Sequence, residues 1–183
     1  MDNMTKQATA LMYACHNGHL PMVRKLLALG ADPNATDHGG YSPLIVAMFC
    51  DRAGVAEVLL EADAEVNYED PEGKTALHYA AQYGSSDSIH VLGRAGADPF
   101  MQDDEDRTPL DQAELSGGPP VVEAVRKLQH AAKMRDKQAE RKAKKVVTQL
   151  AEELDEAALR RKEAEADKLF KQLMQEEEER ERQ

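Results

Sequence analysis

Cys15-His16-Asn17-Gly18-His19 places three potential metal ligands within five residues. Thiolate and imidazole are zinc donors, but a structural zinc site needs a full set of converging ligands. No second pair stands at a suitable spacing along the chain. His78 is the other candidate, as a general base. It has no nucleophile elbow, phosphate-cradling Gly loop or dinucleotide turn to serve. Nor does any pair of carboxylates sit in an apolar setting that would split their pKa values. No catalytic, cofactor-binding or metal-binding residue is assigned, and the chain is expected not to be an enzyme.

The elements that carry these residues repeat. Thr9-Ala10-Leu11, Ser42-Pro43-Leu44, Thr75-Ala76-Leu77 and Thr108-Pro109-Leu110 each begin 33 residues after the last. Leu29-Gly30-Ala31-Asp32-Pro33-Asn34 returns as Ala62-Asp63-Ala64-Glu65-Val66-Asn67 and as Ala95-Gly96-Ala97-Asp98-Pro99-Phe100. Within the third block, Asp70-Pro71-Glu72-Gly73-Lys74 reads as a turn and the hydroxyl of Thr75 as a helix cap. Small Ala80 and Ala81 allow close packing of this inner helix. Gly84 is expected to end it in a left-handed conformation. Ser88-Ile89-His90-Val91-Leu92 makes an outer helix closed by Gly96. Cys15 falls at a small, buried position of this register, as does a packed free cysteine generally.

A period of this length with these signatures resembles the ankyrin repeat, over roughly residues 5 to 130. The resemblance implies an all-α solenoid of paired helices with β-turn fingers, in four repeats at about 5–36, 37–69, 70–102 and 103–130. It also implies that His78, at the family's Thr-Pro-Leu-His position, ties neighbouring turns together, and that Asn34 and Asn67 stand where some relatives are hydroxylated. Relatives bind proteins with the finger tips and the concave face of the inner helices. By position that face holds His16, Asn17, Phe49, Cys50, Gln82 and Tyr83, with Tyr41, Glu72, Lys74, Asp104, Glu105 and Arg107 on the fingers. The first block lacks an Asp-x-x-Gly finger before Thr9 and reads as an N-terminal cap. In the second block Asp51 and Asp63 take left-handed sites that suit Gly better, so this repeat is expected to be the weakest. The fourth, broken by Ser116-Gly117-Gly118-Pro119-Pro120, reads as a C-terminal cap whose outer helix, from near Val121, runs on.

From Val121 to Gln183 there is no Gly or Pro, and strong helix formers dominate. The domains are accordingly expected at 1–125 (repeats) and 121–183 (a long charged helix or coiled-coil segment), the helix reaching roughly 90 Å. Between Arg126 and Lys145 nine bases face two acids, while Glu176-Glu177-Glu178-Glu179-Arg180-Glu181 is acidic. Val147, Leu150, Leu154 and Ala157 keep 3-4-3 spacing, but Arg161 and Lys168 interrupt that register, so sustained heptads are absent. Leu169-Phe170 with Leu173-Met174 is a candidate anchor for a partner's groove. A solvated single helix held by Glu–Lys and Glu–Arg pairs, and self-association, stay open.

Composition agrees with a solenoid. There is no Trp, 4% aromatic and 31% charged residues, thin for an enzyme core and ordinary for stacked repeats. Two cysteines and no disulfide pattern favour a reducing compartment. Met1 to Lys6 lacks the basic-then-apolar order expected of a signal peptide, and no uninterrupted apolar stretch approaches a membrane span. A cytoplasmic protein is expected, with cytoskeletal, ciliary or nuclear placement open.

The net charge of −11 divides into −12 over residues 1–120 (19 acids, 7 bases) and +1 over 121–183 (15 acids, 16 bases). Acids at the finger tips, Glu69, Asp70 and Glu72 and then Asp103 to Asp106, suggest a partner with a basic segment and an apolar anchor. The same charge also serves solubility alone. The basic stretch from Lys133 to Lys145 has no interleaved aromatics, so nucleic acid is the less favoured ligand and would be met at phosphate only. The function expected is a non-enzymatic adaptor, with the repeats gripping one partner and the helix a second. The alternatives are a structural subunit of a large cytoskeletal, ciliary or ribonucleoprotein assembly, and a chaperone or regulatory subunit for a basic client.

Overall fold

A computed structural model describes residues 10 to 181, so the region before Ala10 that includes Thr9 lies outside it. The helices come in pairs: α1 (Ala10–His16) with α2 (Leu20–Ala28), α3 (Pro43–Phe49) with α4 (Ala53–Glu61), α5 (Ala76–Tyr83) with α6 (Ser86–Arg94), and α7 (Pro109–Ser116) with α8 (Pro119–Glu181). Inner helices α1, α3, α5 and α7 stack in order, and outer helices α2, α4 and α6 stack behind them. The described residues form two compact units, through Lys133 and from Met134. The first unit therefore runs past residue 125 and takes in the opening turns of α8.

Local chemistry explains each start and stop. Ser42 and Thr108 accept the Ile45 and Asp111 amides at 3.3 Å, and Pro43 and Pro109 occupy first positions where a missing N–H costs nothing. Leu11, Leu44, Leu77, Leu59 and Leu92 are each 1% exposed or less. Every such leucine contributes about 1.5–3 kcal/mol of burial that no isolated repeat could supply. Val121 and Val125 of α8 join the same core. Leu128 closes over Gly93, where an added Cβ would lie 2.8 Å from its methyl. The second unit is the continuous helix from Met134 to Glu181.

One expectation about backbone changes here. Gly84 is not left-handed. Its φ is −88° and ψ −173°, extended, whereas its counterparts Gly18 and Asp51 have φ of 70° and 50°. Gly is needed for space instead, since a Cβ would sit 2.6 Å from the Ala80 carbonyl oxygen. Asp51 and Asp63 are left-handed as read, and Asp106, at the Gly40 and Gly73 position, is a third such aspartate. Asp51 is also bonded across the repeat boundary: its Oδ1 accepts from Ser85 N, Ser85 Oγ and Ser88 Oγ at 3.0, 3.0 and 2.6 Å.

These bonds oppose the strain expected to weaken the second repeat. Left-handed backbone costs a non-Gly residue roughly 1–2 kcal/mol, and hydrogen bonds to a charged acceptor contribute about 1.5–3 kcal/mol each when shielded, less at an exposed site. Asp51→Gly is therefore expected to lower stability by about 1 kcal/mol, because three lost bonds exceed the relieved strain. Urea unfolding followed by tyrosine fluorescence checks this, since all five tyrosines lie in the repeats. A higher midpoint in the glycine variant would mean that strain dominates.

Candidate functional site

The inner helices and second finger enclose a cavity of about 370 Å³ lined by His16, Tyr41, Ile45, Val46, Phe49 and Tyr79. Each wall comes from a different element. His16 ends α1, Ile45, Val46 and Phe49 lie on α3, Tyr79 on α5, and Tyr41 leads out of the finger. Aromatic edges build the floor: Tyr41 meets Tyr79 at 6.2 Å and 79°, and Phe49 meets Tyr79 at 6.1 Å and 60°. Tyr83 packs on Phe49 at 4.8 Å. Such contacts hold rings rigid and contribute about 0.5–1.5 kcal/mol per pair. Phe49 and Tyr83 nevertheless remain 52% and 49% exposed, so the cluster presents an apolar surface instead of closing into core.

The finger behind the pocket is organised by one buried carboxylate. Asp70 Oδ1 accepts the Glu72 and Lys74 amides at 2.9 and 3.0 Å, and Oδ2 accepts the Tyr79 hydroxyl at 2.6 Å. Burial, together with that bond, holds the Tyr79 phenol protonated well above its usual range. In the fourth finger Asp103 does the same for Glu105 N and Arg107 N, each at 3.0 Å, and also takes the Arg107 guanidinium. Burial raises the Asp103 pKa, but bonds from the Arg107 backbone and side chain outweigh it and hold the carboxyl below its usual value. Asp70 and Asp103 are only 5% exposed each. They are turn anchors, which corrects their placement among rim acids. Exposed Glu69, Asp104 and Asp106 remain at the tips.

The other finger residues singled out from the sequence engage one another. Lys74 Nζ meets Glu72 at 2.7 Å, and Arg107 bridges Asp103 and Glu105 at 3.0 and 2.7 Å. The hydrogen bond from Glu72 raises the Lys74 pKa. Asp104 joins its finger to the third by donating its amide to the Glu72 carbonyl at 3.0 Å. The Lys74–Glu72 and Arg107–Glu105 pairs open onto solvent at their glutamates, where a partner can exchange them, whereas the Arg107–Asp103 pair is covered at its carboxylate. Gln82 is half-buried on α5. Tyr41, Phe49 and Tyr83 are thus brought together, while Glu72, Lys74, Asp104, Glu105 and Arg107 form a separate polar cluster. The side chains of Leu169, Phe170, Leu173 and Met174 lie outside the described residues.

Tyr79, Ile45 and Val46 are the pocket residues the sequence reading missed. Tyr79 sits inside the run Ala76 to Ala81 and reads as packed helix, although its four-residue spacing to Tyr83 places both on one face. Cys15 is fully buried, and burial pushes its thiol up to about 12, which leaves it unreactive, while His16 and His19 are exposed. His78 is 1% exposed. Its Nδ1 accepts the Thr75 amide at 3.0 Å and lies 2.9 Å from the Thr75 hydroxyl. The ring proton is therefore on Nε2, which donates to the Arg107 carbonyl at 3.0 Å. One imidazole so pins the fourth finger to the start of α5. Asn34 and Asn67 join repeats likewise, accepting the amides of Glu65 and Asp98 at 2.8 and 2.9 Å. At the matching place Phe100 lies beneath the Lys133 ammonium, 5.3 Å from the ring centre.

Comparison with known proteins accounts for this architecture. A family model for ankyrin repeats in three copies matches residues 1–70, and one for many copies matches 59–113. Mouse cyclin-dependent kinase 4 inhibitor B is 44% identical over 108 residues, covering 58% of this chain and 82% of the inhibitor. The chain belongs to the ankyrin-repeat family. Human cyclin-dependent kinase inhibitor 2A is 40% identical over 125 residues, 68% of this chain and 80% of that protein. A probable E3 ubiquitin-protein ligase of rice, XBOS34, is 40% identical over 111 residues, but the chain spans only 22% of its length. The ankyrin repeats are a protein-binding scaffold, and the aromatic pocket is a feature of their inner-helix face. Among the described residues no helix is long and apolar enough to cross a membrane.

Proposed function

We propose that this protein is a non-enzymatic adaptor. Its repeats (residues 1–125) seat a basic partner segment by one apolar side chain in the pocket between α1, α3 and α5, and its helix (residues 121–183) docks a second partner. The observation that carries this reading is the cavity of about 370 Å³ with Phe49 and Tyr83 half-open at its edge. A volume of that size accepts a large aliphatic or aromatic side chain. The charge of −12 over residues 1–120 favours basic flanks. The inhibitor names of the two animal relatives support a protein target.

The test is fluorescence anisotropy of labelled peptides in which arginines and lysines flank one Phe or Leu. Phe49→Glu is expected to weaken binding by at least about tenfold, as loss of a central aromatic contact does. The change lies on an exposed face, so unfolding should not accompany it. Equal binding by the variant, or by a peptide whose anchor is Ala, would remove the pocket from the reading.

A further inference from the structure

We propose that Thr148 of α8 is a phosphorylation site for a protein kinase that selects bases ahead of its acceptor, and that Lys144, Lys145 and Arg141 then hold the phosphate. This goes beyond the adaptor reading and does not rest on it. Thr148 is the only Ser, Thr or Tyr between Pro119 and Gln183. Arg141, Lys142, Lys144 and Lys145 precede it by seven, six, four and three residues, and no acid stands between Glu140 and Glu152. Charge patterns of this kind are how kinases choose substrates. No other Ser or Thr of the described residues has a base three or four places before it. The helix also brings these groups onto one face. At about 100° per residue, Arg141, Lys144 and Lys145 stand within about 60° of Thr148 around the axis, on the turns just before it. Val146, Val147 and Leu150 lie about 100° or more away, which leaves this face polar. Thr148 is exposed, and its hydroxyl donates to the Lys144 carbonyl at 3.0 Å, so the oxygen is aimed back toward the basic turn.

By spacing, this basic turn is short of anions. Neighbours on a helix surface sit three or four places apart. Of the four bases only Lys144, with Glu140, finds an acid at that distance. Arg141 with Lys144 and Lys145, and Lys142 with Lys145, are like pairs, which destabilise the turn. A phosphate on Thr148 brings about −1.5 to −2 charges within one turn of Lys144 and Lys145. Glu152, four places on, is the one acid set to oppose it. Transfer needs the hydroxyl released from the Lys144 carbonyl, so the helix must open locally. Residues 141–150 are all exposed, and the like pairs lower the cost of opening. Ser42, Thr75 and Ser88, by contrast, are buried in the repeats. In the step itself Oγ1 bonds to the γ-phosphorus of ATP and the bond from that phosphorus to the β–γ bridging oxygen breaks. ADP leaves, and the hydroxyl proton passes to the kinase's carboxylate base.

The test incubates the full chain with ATP, Mg²⁺ and a kinase that requires bases three and four places before its acceptor, and reads intact mass and fragment masses. One phosphoryl group on Thr148 is expected, and none on Thr148→Ala. Lys144→Gln with Lys145→Gln should lower kcat/KM by about tenfold or more, since both charges are lost from the recognised turn. All three side chains are exposed, so these variants keep the fold. Phosphorus NMR of the modified chain across pH is the second readout. Neighbouring bases favour the doubly charged phosphate, so its second ionisation should fall below the ordinary value of about 6. Added salt should return it toward that value. No incorporation, phosphate placed on the repeats instead, or a lysine variant modified as fast as the parent would overturn the site. An ionisation at the ordinary value and indifferent to salt would overturn the role given to Lys144, Lys145 and Arg141.

Discussion

Acidification from about pH 7.5 to about pH 5 is expected to destabilise the repeats through His78, and His78→Ala is expected to cost about 3 kcal/mol at neutral pH. Burial holds the His78 pKa below its ordinary value of 6.5. The hydrogen bond to the Arg107 carbonyl opposes that shift without cancelling it. In the unfolded chain the ring regains the ordinary value. Once pH falls below it, the unfolded state binds a proton that the folded state refuses, and stability declines until the lowered folded value is passed. The stabilisation is thus complete above pH 6.5. Geometry agrees, since a proton on Nδ1 would displace the Thr75 amide it accepts. In the alanine variant the Thr75 amide and Arg107 carbonyl both lose a buried partner, and a cavity opens beside the fourth finger. Urea midpoints followed by tyrosine fluorescence across that pH range are the measurement. His78→Gln, which keeps an acceptor and a donor, should be less damaging than alanine and should flatten the profile. A profile unchanged in slope would mean that other groups set the acid response. The carboxylates held low, Asp103 and Asp111, titrate below 3.8 and leave the histidine window clear.

Much of this was legible before any coordinates, because a solenoid writes its contacts into a period. Residues 33 apart do the same job: Ser42 and Thr108 cap, and Asn34 and Asn67 reach across to the next repeat. What a period cannot carry is the particular neighbour. Gly84 occupies the register of a left-handed glycine, yet the close Ala80 carbonyl is what excludes a side chain there. Asp70 and Asp103 look like exposed turn acids, since charge near Pro and Gly usually faces water. Only the folded finger shows each curled inward onto its own amides. Tyr41, Phe49 and Tyr83 were recognisable as a face, but the pocket that Tyr41 and Phe49 line depends on Tyr79, one turn before Tyr83 and hidden in an alanine-rich run. The long helix followed from composition alone. Its apolar cluster at residues 169–174 is a feature of sequence only, whereas the stripe from Val146 to Leu154 lies exposed on the described helix.

The Asp70–Tyr79 contact is where finger and pocket become one unit, and breaking it should show that coupling. Asp70→Ala removes the acceptor of two backbone amides and of the Tyr79 hydroxyl, and is expected to cost about 3 kcal/mol. Tyr79→Phe leaves the ring in the pocket but strands Asp70 Oδ2 without its 2.6 Å partner, for about 1.5–3 kcal/mol. In Asp70→Ala/Tyr79→Phe the hydroxyl is absent along with its acceptor, so the second change should add little to the first. A coupling of at least about 1 kcal/mol in the double-mutant cycle is the expected result, and additive losses would show the two residues acting separately. Peptide affinity should follow the same pattern. Tyr79 supports both Tyr41 and Phe49 edge-on, so a ring released from Asp70 loosens the floor on which an apolar anchor rests. Asp70→Ala should therefore weaken peptide binding even though Asp70 itself is buried beneath the surface the partner meets.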